Sequence, residues 1–161
     1  VANSGQQVDM TAMLDQGFLQ LGLMGLVNAN DDRLLVSQKE VNAHIRKQVG
    51  PYFGWYRYSY DAYGEEKRGR LWPLLSGEHA RFALERASDG GITIDRAMKE
   101  AGHILDSYVY FANDGQMIPE QVFEVTGEGT GGATPLAWSH AEYVKLMWSL
   151  ELKKNIENII E

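Results

Sequence analysis

The lengths of the connections between helical segments alternate along this chain, and that alternation limits its possible folds. Asn28 to Asn30 and Ser88 to Gly91 are short polar turns, whereas Val49 to Leu71 and Asn113 to Thr134 are long and hold glycine, proline, aromatics and charge. Between these connections, apolar residues recur at spacings of three and four, the period of a helix with one buried stripe. In an up-and-down array of antiparallel helices, alternate connections lie at the same end. Both long loops are therefore expected on one face, and long loops in a compact domain usually carry function. The pattern predicts an all-α chain of about five helices, with helix pairs recurring roughly every sixty residues as in a ring of hairpins. Five helices are too few to close a large ring. An arc of a toroid and a self-contained five-helix bundle both fit the spacing.

The segments follow from local signals. Met13, Leu14, Gly17, Phe18, Leu21 and Met24 form one stripe from Met10 onward, with Gly17, Gly22 and Gly25 allowing a close neighbour. Asp31 or Asp32 caps a second helix through Leu34, Leu35, Val41 and Ile45. A third covers Gly77 to Ala87, and a fourth runs from Thr93 through Ala97, Ala101, Ile104, Leu105, Tyr108 and Phe111. Thr134 followed by Pro135 reads as a cap and first helical residue, with the last helix extending toward Ile159. Strand alternation is confined to short loop segments such as Trp55 to Tyr60.

Charge and cysteine usage exclude several functions. At 161 residues the chain can bury a core without staples. A net charge of −7 argues against binding along a nucleic-acid backbone, where Lys and Arg must displace counterions. With no cysteine, a disulfide framework, a thiolate nucleophile and a thiolate metal site are all ruled out. No run of apolar residues is long enough to span a membrane. Val1-Ala2-Asn3-Ser4-Gly5 lacks a signal-peptide pattern and reads as a processed or internal start.

The long loops hold the chemistry. Gly54 to Glu65 contains Trp55, Tyr56, Tyr58, Tyr60 and Tyr63 with Arg57 and Asp61, and Trp72 follows Gly69-Arg70-Leu71. Such a wall suits a carbohydrate, whose ring C–H faces lie on aromatic planes while its hydroxyls need fixed donors and acceptors. Arg57 with Asp61 could bind vicinal hydroxyls; a salt bridge bracing buried tyrosines explains the same residues. In the second loop Glu120 follows Pro119, where it is either a catalytic carboxylate or an acidic residue opening a helical turn. Gly127-Glu128-Gly129-Thr130-Gly131-Gly132 lacks the ending and the preceding strand of a phosphate loop and reads as a flexible rim. His44, His79, His103 and His140 have no ligand spacing, so neither metal nor cofactor is expected, and His140 reads as a brace for the helix bearing Trp138.

Four motifs together resemble the C-terminal part of bacterial glucoamylases and glucodextranases, glycoside hydrolase family 15. They are Arg57-Tyr58 with Asp61 and Tyr63; Gly69-Arg70 with Trp72-Pro73-Leu74-Leu75 and Gly77-Glu78; Met117 with Pro119-Glu120-Gln121; and Ala133 through Tyr143. The resemblance extends from about Asp9 to Leu150, with Ala62 and His79 departing from the usual glycine and arginine. It implies an arc of an (α/α)6 barrel with long functional loops on one face. It also implies an inverting exo-acting α-glucoside hydrolase, secreted or periplasmic, acting on an α-glucan or oligosaccharide. By resemblance Glu120 is the general base, Arg57 and Asp61 hold the terminal glucose, and Tyr58, Tyr63, Trp72 and Trp138 line the sugar pocket.

An inverting glycosidase needs two carboxyls roughly 6.5–9.5 Å apart, one activating water and the other protonating the leaving oxygen. In the family the acid lies in a Trp-Glu-Glu motif, which is absent from this chain. Glu65-Glu66 belongs to a different motif, beside Lys67 and Arg68, and is not its substitute. The rest of the barrel is therefore expected on a second chain or a missing segment. A transglucosylase of this family and a non-catalytic glucan-binding module with the same fold remain as alternatives.

Overall fold

The computed structural model describes residues 4–160, so the readings of Val1, Ala2 and Asn3 lie outside it. Its helices are α1 (Leu19–Leu23), α2 (Asp32–His44), α3 (Pro73–Ser88), α4 (Ile94–Phe111) and α5 (Ala137–Leu152). Strands β1 (Arg46–Val49) and β2 (Tyr52–Trp55) form an antiparallel hairpin between α2 and α3.

Helix α3 is the axis of the arc. Pro73 occupies its first turn, where the missing N–H costs nothing, and every residue from Pro73 to Glu85 is buried. A helix buried all round is an inner helix. It packs against α1, α4 and α5. Helix α4 turns one stripe inward, Ala97, Ala101, Ile104, Tyr108 and Phe111, after the Thr93 side chain has capped the Arg96 N–H. Leu19, Leu23, Ala29 and Leu34 close a second cluster around Phe82, which is fully buried. Removing a Phe side chain of this kind from water stabilises by about 1.5–3 kcal/mol. Gly22 is required there, because a Cβ at that position would lie 2.6 Å from the Phe82 ring.

Helix α5 is inverted. Its inward positions are Ser139, Glu142, Leu146 and Ser149, whereas Val144, Met147, Trp148 and Leu152 are exposed. Helix α5 thus turns an apolar stripe outward.

Four segments differ from the sequence expectation. The expected first helix from Met10 is a 3-10 turn at Met10–Ala12, then extended chain, then the short α1. The Leu14 N–H donates to Ser59 Oγ and its carbonyl accepts from Ser59 N, so this stretch is paired to the first long loop. Helix α3 begins at Pro73 rather than Gly77. The last helix begins at Ala137, after a cis Thr134–Pro135 bond, and ends at Lys153 in the left-handed region instead of reaching Ile159. At its start, Leu136 N donates to the Ile118 carbonyl and Ala133 O accepts from Glu120 N. The β1–β2 hairpin was not expected. Gly50, with φ +56, and Pro51 turn it, and Arg46 pairs with Trp55.

Candidate active site

The two long loops meet on one face through backbone pairing. Leu71 and Val122 exchange both hydrogen bonds, at 3.2 and 2.9 Å, and Val122 also bridges Gly129. Gln121 Nε2 donates to the Tyr63 carbonyl at 3.1 Å. Arg68 and Arg70 both pair with Glu124, at 2.7 and 3.1 Å. Burial works against the Glu124 charge, but its backbone hydrogen bond and these two cations hold its carboxyl below the usual range.

In the first loop Arg57 is the hub. Its Nη2 donates to Asp61 Oδ1 at 3.0 Å and to Tyr58 Oη at 3.2 Å. Its guanidinium lies over the rings of Tyr58, Tyr63 and Trp72 at 4.8, 5.1 and 4.9 Å. Burial opposes its charge, and the Asp61 hydrogen bond and charge outweigh that cost and raise its pKa. The Asp61 side chain is 1% exposed and also accepts from Tyr63 N at 2.9 Å. Asp61 is therefore turned into the loop, where it fixes the direction of Arg57, whose own side chain stays 32% exposed. Tyr63 and Trp72 stack with centroids 5.8 Å apart.

Gly69 makes this loop possible. Its N–H donates to the Asp61 carbonyl at 2.9 Å, and a Cβ at Gly69 would lie 2.7 Å from that same oxygen. Gly69→Ala is expected to cost about 1–3 kcal/mol, because backbone rather than a flexible side chain must move. Chemical denaturation checks it, and a loss below about 0.5 kcal/mol contradicts the contact.

The expected site residues fall into two adjoining hollows. Arg57, Trp72 and Trp138 line a cavity of about 530 Å³, with Trp138 56% exposed at the first turn of α5. Glu120 lines a second hollow of about 520 Å³ with Ala62, Tyr63, Gly64 and the Thr130–Gly132 rim. Tyr63 joins them, its hydroxyl 3.5 Å from Glu120 Oε2 and its ring on Trp72. Tyr58 and Asp61 line neither hollow and act on them through Arg57.

Glu120 is held from behind by α5. Besides the Glu120 N–H to Ala133 O bond at 2.9 Å, Ser139 Oγ donates to the Pro119 carbonyl at 2.9 Å. His140 Nε2 accepts from Ile118 N at 3.0 Å, the bracing role expected of it. Glu66 is exposed beside Arg70, away from both hollows, and the Glu65 side chain lies outside the described residues.

Sequence reasoning passed over one wall of the first cavity. Glu78 lines it from α3, only 7% exposed, and Glu142, Lys145 and Glu157 complete its floor. His79, one residue on, stacks on Trp55 at 4.2 Å and donates from Nε2 to Gln16 Oε1 at 2.7 Å. Burial, with Arg46 nearby, lowers the His79 pKa to about 3 and keeps the ring neutral. A Glu and an Arg three residues apart on a helix with three Leu and three Ala were the available signal for this wall.

The family described as glycosyl hydrolases family 15 matches residues 62–148. A glucoamylase of Clostridium sp. (strain G0005) is 36% identical over 155 residues, covering 91% of this chain and 20% of that protein. The crystal structure of a bacterial glucoamylase complexed with acarbose superposes with a TM-score of 0.87 at 35% identity, over 98% of this chain and 23% of that one. This chain thus spans about a fifth of the length of the curated relative, and its alternating helices are an arc of the (α/α)6 barrel. Helices, loop pairing and family match agree: the chain belongs to glycosyl hydrolases family 15.

Proposed function

We propose that this chain supplies the general base and part of the sugar pocket of an enzyme that hydrolyses α-glucosidic bonds at the non-reducing ends of α-glucans, with inversion, releasing β-glucose. The observation carrying this reading is the Tyr63 bridge, which sets the Glu120 carboxylate beside a pocket of Arg57, Trp72 and Trp138. Glu120 deprotonates the attacking water; Arg57, oriented by Asp61 and Tyr58, donates to hydroxyls of the terminal glucose. Trp72, Tyr63 and Trp138 carry its C–H faces. Acarbose bound to the similar glucoamylase supports an oligosaccharide occupant.

The general acid and the rest of the barrel come from outside this chain. The outward apolar stripe of α5 supports that reading over a free-standing module, since Val144, Met147, Trp148 and Leu152 need a cover.

Proton NMR of maltose hydrolysis by the assembled enzyme, read before mutarotation, is expected to show β-glucose first. Early α-glucose overturns the inverting assignment.

A further inference from the structure

At the floor of the Arg57–Trp138 cavity lies a compact charge cluster with an odd number of carboxyls. Arg81 pairs with Glu142 and Glu157, and Lys145 pairs with the same two. Glu78 is the third acid. Among the described residues no cation lies within ion-pair distance of it, and it accepts a hydrogen bond from the Gln20 amide at Oε1, at 3.0 Å. Glu78 lines the cavity together with Arg57, Trp72 and Trp138.

A buried carboxyl without a cation of its own keeps its proton, because ionisation there is poorly solvated. Neutral Glu78 would then hold an O–H in the cavity that the exposed ring of Trp138 also lines. Taking the sugar-pocket reading of this cavity as its premise, we propose that Glu78 is a further substrate-binding residue, donating its carboxyl proton in a hydrogen bond to a saccharide hydroxyl held between Trp138, Trp72 and Arg57.

The surrounding charges agree. Burial and then Glu142 raise the Glu78 pKa to about 7, Arg81 and the Gln20 hydrogen bond work against them, and Glu157 adds to the rise. Around it stand Arg81 on its own helix, the buried Tyr108 from α4, Glu142 and Lys145 from α5, Glu157 from the segment after α5, and Asp15 and Arg57 across the cavity. The donor is therefore present below pH about 7 and lost above it. Saccharide affinity falls over the same range.

Acarbose binding to the assembled enzyme, measured by titration calorimetry at pH 6 and pH 8, tests this. Affinity is expected to drop roughly three- to tenfold between them. Glu78→Gln keeps a donor that does not titrate, so its affinity is expected to match the unsubstituted protein at pH 6 and stay flat to pH 8. An unchanged pH slope in Glu78→Gln overturns the proposal. Titrations at pH 7.5 in two buffers of different ionisation enthalpy need no variant: proton uptake on binding is expected, and its absence overturns the proposal. If acarbose binds at neither pH, the sugar-pocket reading itself fails and this one with it. Binding that follows an unchanged pH course removes Glu78 alone.

Discussion

Glu120→Gln is expected to lower turnover by on the order of 10²–10⁴ while leaving KM within a few-fold. Gln matches Glu in shape, so the ties that hold this loop persist: Glu120 N to Ala133 O, Ser139 to Pro119 and His140 to Ile118. Only the ability to accept a proton from water is lost. The sugar contacts assigned to Arg57, Trp72 and Trp138 lie in the neighbouring hollow and are untouched, which is why binding is spared. Azide needs no deprotonation before attack, so it should restore part of the turnover in the variant and none in the unsubstituted enzyme. A loss below about threefold removes Glu120 from the base role.

The largest expected effect on stability comes from Arg81→Met. Arg81 is fully buried and carries bonds to Glu142 and Glu157. Removing it leaves two carboxylates competing for Lys145 in a poorly solvated place. Breaking a buried ion pair from one side costs about 3–5 kcal/mol. For a chain of this size that is a fall of roughly 6–20 °C in Tm. Adding Glu142→Gln and Glu157→Gln to Arg81→Met should recover more than half of the loss, because the penalty lies in the stranded charges rather than in the missing arginine. Equal instability of the single and triple variants contradicts that account.

The pH course provides a second readout. Burial raises the Glu157 pKa, but Lys145 and Arg81 outweigh it and leave the carboxyl below its ordinary 4.5. A depressed carboxyl contributes stability above its unfolded value and loses it as pH falls through the folded one. Unsubstituted protein should therefore weaken more steeply below pH 4.5 than Arg81→Met does.

What could be read in the chain depended on whether its signals were local. Helices α2 and α4 have caps beside their first turns, Asp31 and Thr93, and both were legible. The alternation of loop lengths placed both long loops on one face because connectivity alone decides that. The hairpin was not legible: Arg46, Lys47 and Gln48 are all exposed, so β1 lacks the apolar alternation that marks a strand. The stripe from Met10 to Met24 was misleading. Its residues have helical spacing, yet Leu14 gives its backbone groups to Ser59, forty-five residues away.

The same division holds in the site. Arg57, Tyr58, Asp61, Tyr63, Trp72, Glu120 and Trp138 sit in compact motifs and could be singled out as a set. Glu78 was visible as part of a motif, but its importance depends on which face of α3 meets Gln20 and Glu142. Only the packing of α1 and α5 decides that.

The bonds that fix Glu120 also straddle a tip that they do not include. Residues Ile118 to Val122 are tied to α5 and to Leu71, and Ala133 to His140 hold the other flank. Between them Val125 is exposed at the turn where Gly127 N returns to the Phe123 carbonyl. Insertions at Val125–Thr126 would therefore lengthen this tip, where Thr126 edges a separate hollow with Tyr110, without moving the carboxylate. The tip and the carboxylate are thus held independently: the Thr126 carbonyl accepts from Tyr110 Oη, while the position of Glu120 is a property of the helix behind it.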